Sequence, residues 1–270
     1  MRQEPFLRWA GSKRKLLPKL MPYWEASGCT RYIEPFAGSA VMYFAVNPQD
    51  AVLSDTNKDL IDMYLVMQRN CRAVYNEIIK YPCSESFYYQ LRSVDYHSWS
   101  ACRRAARFIY LNRFCFNGLY RTNNKGHFNV PFARGVNREL QSFEAFKQFS
   151  RAIKGVRFYC QDFRQTLLMA EKDDFIYVDP PYAIENRRIF NQYGPNSFGL
   201  NDLADLADML MMLHEKGAKF LVSYAYAKEL AVMFDKWNCK STIVQRTVAG
   251  NPRNRKRVKE LFISNIKVRV

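Results

Sequence analysis

A chain of 270 residues, 48% of them hydrophobic, can bury a full core and is too apolar to be disordered. No run of about 18 apolar residues occurs and the first residues lack an apolar leader, which excludes a membrane-spanning helix and predicts a cytoplasmic protein. Forty-one Lys and Arg against 25 Asp and Glu leave a charge of +16, so a polyanion is the expected partner, while seven scattered Cys without a CxxC pair and three His predict reduced thiols and no metal centre.

In chain order, "RWAGSKRKLL" (8–17) lacks the leading glycine and spacer of a phosphate-binding Walker loop. Trp9 offers a stacking face and Lys13 a cation beside a helix expected over 13–20, or the segment is a surface helix with an incidental Trp. A short strand is expected over 31–33. "YIEPFAGSAVMYF" (32–44) then reads as strand, turn and helix (38–45), with Gly38 letting the backbone approach a ligand. A second strand over 51–54 ends in "VLSDTN". Asp55 there can accept both hydroxyls of a ribose, or it caps the helix that follows. Together the two strand ends predict a nucleoside cofactor.

Strand and helix cease to alternate over 57–150. Helices are expected over 59–79, 85–94 and 101–114, followed by hairpin chemistry in "NGLYRTNNKGHFNVPF" (117–132). Basic residues cluster in 8–19, 103–138 and 246–259, and the middle cluster interleaves aromatics and Asn. That mixture suits contact with phosphates and bases, or simply a solvated surface.

Alternation returns with strands over 156–160 and 175–178, a helix over 200–215 stopped by Gly217, and strands over 219–223 and 259–265. The expected class is α/β, a parallel or mostly parallel doubly wound sheet. The 175–178 strand runs into "DPPY" (179–182). Prolines donate nothing, so the Pro180 region keeps free carbonyls, and Asp179 adds a carboxylate. An exocyclic amine matches such acceptors, with Tyr182 stacking on the base that carries it. A plain turn with a capping Asp is the other reading. An amine inside a duplex is reached only by flipping its base out.

These motifs, with "AARFIYLNRFCFNG" and "RKRVKELFISN", closely resemble the Dam-type DNA adenine-N6 methyltransferases over essentially the whole length and in the order cofactor motif, target recognition, catalytic tetrapeptide. The resemblance implies a Rossmann-like S-adenosylmethionine-dependent methyltransferase sheet (1–56 and 151–270) carrying a mainly helical target-recognition insert with a β-hairpin (57–150). It implies S-adenosylmethionine as methyl donor, no metal, and adenine in double-stranded DNA as acceptor, within GATC or the longer GATATC. Trp9, Lys13, Glu34, Phe36, Gly38, Asp55, Asp162, Phe163 and Asp179 fall where such enzymes touch the cofactor, and Asp179, Pro180 and Tyr182 where they hold the flipped adenine. Arg8, Arg113, Phe116, Asn117, Leu119, Arg121, Asn123 and Lys256 fall on the DNA side. It further implies a bacterial or phage protein of the nucleoid, with a cognate restriction endonuclease as a possible neighbour in the genome. One position departs: where relatives often carry a second glycine, this chain has Ala40.

Overall fold

The computed structural model describes residues 6–123, 126–135, 138–181, 198–225, 234, 236–247 and 255–268. A 3-10 turn (Arg14–Leu16) leads into α1 (Leu17–Ser27), which continues past Pro22 and ends at Gly28 in the left-handed conformation. There follow β1 (Arg31–Glu34), α2 (Val41–Val46), β2 (Asp50–Asp55), α3 (Lys58–Ile78), α4 (Glu85–Ser93) and α5 (Ala101–Phe114). A 3-10 turn (Phe116–Gly118) opens the hairpin, and α6 (Phe143–Ala152), β3 (Arg157–Cys160), α7 (Phe163–Leu167) and β4 (Asp174–Val178) come next. The chain closes with α8 (Leu200–Lys216), β5 (Lys219–Ala225), β6 (Asn238–Thr247) and β7 (Arg255–Ser264). Helices α3 to α6 begin where side chains meet orphan amides: Asn57, Ser84, Ser100 and Ser142 each accept from the backbone N–H three residues on.

Seven strands form one sheet in the order β3-β2-β1-β4-β5-β7-β6. The first five are parallel, and β7 enters antiparallel between β5 and β6. The order β3-β2-β1-β4-β5 is that of a Rossmann-like, doubly wound sheet. Alternation along the strands divides the core into two faces. Ile33, Val52, Ile176, Val178, Phe220 and Val222 pack against α7 and α8, while Tyr32, Leu53, Phe175, Tyr177, Leu221 and Phe262 share a second core with α1, α3, α5 and α6. Helix α3 lies against β2 and β3 as well as α5 and α6, so these helices are built onto that face of the sheet. No helix among the described residues is long and apolar enough to cross a membrane.

Ala40 adopts φ 51°, ψ 37°, the left-handed region, immediately before α2. A non-glycine residue there costs about 1–2 kcal/mol. Its methyl is 1% exposed and buried in the core, which offsets about 0.8 kcal/mol, and a glycine would add chain entropy to the unfolded state. Ala40→Gly is therefore expected to change unfolding free energy by no more than about 1 kcal/mol. Denaturant titration checks this, and a larger loss would mean that the methyl's packing outweighs the strain.

Candidate active site

Strands β1 and β4 are neighbours in register, Ile33 beside Ile176, although the chain leaves β1 toward β2 on the other side. A crevice opens at the carboxyl ends of strands where such a reversal occurs. The β1–α2 turn and the DPP segment therefore meet at one edge of the sheet.

Gly38 is the fixed point of the turn. Its φ is +47°, and a Cβ on it would lie 2.8 Å from Trp9 Nε1, so only glycine lets the indole approach. The Gly38 N–H donates to Asp55 Oδ2 at 3.0 Å, and the Asn57 N–H donates to Asp55 Oδ1 at 2.9 Å. Each Asp55 oxygen thus keeps accepting capacity. Burial raises the Asp55 carboxyl above its usual range, and the backbone amides of Asn57, Gly38 and Thr56 pull it partly back. Asp55 is not the cap of α3, because Asn57 Oδ1 accepts from Leu60 at the first turn. Glu34 is 3% exposed, accepts from Tyr32 Oη at 2.9 Å, and is pushed well above the ordinary carboxyl range by burial. Phe36 stacks on buried Phe163 with centroids 5.3 Å apart. Asp162 caps α7 through the Arg164 amide and pairs with the Arg164 guanidinium.

At the end of β4, Pro180 is buried and Asp179 is partly exposed. Asp179 Oδ1 accepts from Lys13 Nζ at 2.5 Å and from Ser223 Oγ at 3.2 Å, and Ser223 Oγ also meets Tyr177 Oη at 2.9 Å. Asp179 Oδ2 accepts from no other described residue. Lys13, expected to face a cofactor beside a helix start, is thus in contact with the DPP acid. Tyr182 lies outside the described residues.

The strap of residues 8–9 joins this edge to α5 and the hairpin. The Asn112 amide clamps the Arg8 backbone, accepting from its N–H at 3.0 Å and donating to its carbonyl at 2.6 Å. Gly118 has the same role toward Arg8 that Gly38 has toward Trp9, since a Cβ there would lie 2.6 Å from Arg8 Cβ. Trp9 stacks on Tyr120 at 5.8 Å. Burial lowers the Arg8 guanidinium, whose Nη1 is buried without a hydrogen-bond partner among the described residues.

Beyond the strap, bridges Cys115↔Phe132 and Thr122↔Phe128 form the expected hairpin. Phe116 and Leu119 are half-buried, and Asn117 is exposed at φ 55°. Asn123 is exposed and accepts from the His127 amide. Arg121 Nε donates to Asn129 Oδ1 at 2.7 Å, and Arg113 Nε donates to the Glu139 carbonyl. Lys256 is on β7, with its side chain outside the described part.

Several arginines of the 103–138 cluster are structural. Arg107 is 3% exposed and donates to the carbonyls of Leu91 and Arg92 in the last turn of α4. Arg138 donates to the carbonyls of Arg113 and Cys115, and Arg134 pairs with Glu85. Among the described residues no group of three or more His, Cys, Asp or Glu converges to hold a metal ion.

Asn112, Ser223 and Glu260 were missed by sequence reasoning. Asn112 and Glu260 left a signal, each a polar residue inside an apolar run ("FIYLNRF", "VKELFIS"). Ser223 left none.

Residues 9–248 match the family model of D12 class N6 adenine-specific DNA methyltransferases. A DNA adenine methylase of Haemophilus influenzae is 32% identical over 97% of this chain and 93% of its own length. The Type II methyltransferase M.MjaIII of Methanocaldococcus jannaschii is 31% identical over 98% of this chain and all of its own, and M1.LlaDCHI of Lactococcus lactis subsp. cremoris is 30% identical over 97% and 95%. Sheet order, strand-end chemistry and these likenesses agree: the chain belongs to the D12 class N6 adenine-specific DNA methyltransferases.

Proposed function

We propose that this chain transfers a methyl group from S-adenosylmethionine to N6 of an adenine flipped out of duplex DNA, within GATC. Residues 1–56 and 151–270 form the catalytic part of this reading and 57–150 the target-recognition part. The observation that carries it is the Asp179 carboxylate, with Oδ1 anchored by Lys13 and Ser223 and Oδ2 left as an acceptor at the crevice.

The residues present fit S-adenosylmethionine. Asp55 retains lone pairs for ribose hydroxyls, the Phe36 and Phe163 pair offers an apolar wall to a base, and Gly38 keeps the turn free of side chain. Trp9, Lys13, Glu34 and Asp162 complete the surroundings. When bound, the cofactor supplies an electrophilic methyl group. Asp179 Oδ2 and the Pro180 carbonyl accept the two N6 hydrogens of the adenine. Those bonds concentrate the amine's electron density on N6, where neutral adenine otherwise delocalises it into the ring. Phe116 fills the stack that the base has left, and the basic residues of the strap and hairpin meet the backbone.

Arg121 reads a guanine in the major groove, held in aim by Asn129. Arg121→Ala is expected to relax preference at one base pair by about 1–3 kcal/mol. Competition between duplexes altered at single positions checks this, and uniformly weaker binding with unchanged preference would assign Arg121 to phosphate.

Tritiated methyl transfer to unmethylated duplexes carrying GATC or GATATC tests the whole reading, with methylation-sensitive nucleases locating the product. Tight DNA binding without transfer would overturn it. Transfer confined to GATATC would overturn the site alone. The Type II names of two relatives support a restriction endonuclease as genomic neighbour.

A further inference from the structure

Lys13 stands between two acids. Its Nζ is 2.5 Å from Asp179 Oδ1 and 3.9 Å from Glu260 Oε1. Lys13 is 5% exposed and Glu260 is wholly buried. The three residues come from the segment before α1, the end of β4 and the middle of β7. Alternation along β4, β5 and β7 sets Tyr177, Asp179, Ser223, Glu260 and Phe262 on the sheet face that α1 covers, so the pairing follows from the fold. Glu260 follows Lys259 and precedes Leu261 on β7, lies opposite Ala225 and Thr242, and is wholly buried, and a carboxylate so placed is costly to bury unless a cation or donor reaches it.

We propose that Glu260 is a positioning residue for methyl transfer. It fixes the Lys13 ammonium, and through Lys13 it holds one oxygen of Asp179 so that the other stays open to the adenine amine. The inference rests on the role of Asp179 given above. N6 gains a methyl that arrives without its bonding pair, which stays on the donor, and then gives up a proton to solvent. Positive charge therefore rises at N6 before the proton leaves, and an Asp179 oxygen held in aim at the amine favours it.

The test uses the full chain with Glu260→Gln, Glu260→Asp, Lys13→Met and the Glu260→Gln/Lys13→Met pair. Glu260→Gln is expected to lower the single-turnover transfer rate about 10- to 100-fold, with the dissociation constants for DNA and S-adenosylmethionine within about threefold of the parent. Glu260→Asp, which keeps the charge but draws it back, should fall between the two. In the Lys13→Met background the Gln substitution should cost less than about twofold, because effects that pass through one residue do not add. A readout independent of turnover is the acetylation rate of Lys13 by acetic anhydride, followed by mass spectrometry, which is expected to rise in both Glu260 variants. An unchanged rate in folded Glu260→Gln, additive losses in the pair, or a loss confined to either dissociation constant would overturn the proposal. Should Glu260→Gln not fold, Glu260→Asp carries the same two readouts, and parental values in both would overturn it. Absence of transfer by the parent chain would remove the proposed reaction, whereas unchanged Lys13 labelling would remove the Glu260 contact itself.

Discussion

Asp179→Ala is expected to lower single-turnover methyl transfer by about 10³- to 10⁴-fold while DNA affinity stays within a few fold. A positioned acceptor at a reacting amine contributes about 10²- to 10⁴-fold, and the upper part of that range applies because no other described carboxylate stands at the end of β4. The substitution also strips Lys13 of its nearest partner. Removing one member of a buried ion pair costs about 3–5 kcal/mol, but Glu260 remains beside the ammonium and Asp179 is 22% exposed, so the expected loss of folding stability is smaller, about 1–2 kcal/mol. Rapid-quench transfer on a single-site duplex, with thermal unfolding alongside, separates the two effects. A near-parental rate in the folded variant would remove Asp179 from the chemistry.

Asp55→Ala is expected to weaken S-adenosylmethionine binding by about 1.5–3 kcal/mol, or about 10- to 150-fold in dissociation constant. Two contributions combine. The carboxylate is the acceptor proposed for the ribose, and it also holds the amides of Gly38 and Asn57. Without it both amides lose their partner, and the turn under the Trp9 indole is no longer tied to β2. Asp55→Asn separates the contributions, because its one carbonyl oxygen serves one amide while its NH2 opposes the other. Calorimetric titration of both variants is the measurement, and unchanged affinity in Asp55→Ala would move the ribose away from β2.

The parts of this fold that were legible in the sequence are those whose cause is local. Helix α5 occupies the expected 101–114 because Ser100 caps it and the apolar period is unbroken. The left-handed Gly217 ends α8 as expected. Strand β6 was not legible: Ile243 is 67% exposed and the segment is polar, so its structure comes from pairing with β7 rather than from a buried face. The same pairing extends β7 back through Arg255, Lys256 and Arg257, whose charges set them in a basic cluster ahead of the strand expected from 259. Helix α1 runs seven residues beyond the expected end and continues through Pro22. In the candidate site, Gly38, Asp55 and Asp179 stand at strand ends, where sequence alone marks an edge. Ser223 and Glu260 depend on which strands lie side by side, and the single antiparallel insertion of β7 decides that.

That insertion also orders events during synthesis. β7 follows β5 and β6 in the chain yet lies between them, so until residues 255–264 have left the ribosome, β5 has no neighbour on that side and β6 has no ladder to join. The parallel strands β1 to β5 can assemble earlier, but Lys13 then has no Glu260 behind it. Completion of the crevice is thereby tied to completion of the sheet, because the Gly38 turn is tied to β2 whereas the Lys13 acid cluster includes Glu260 of β7.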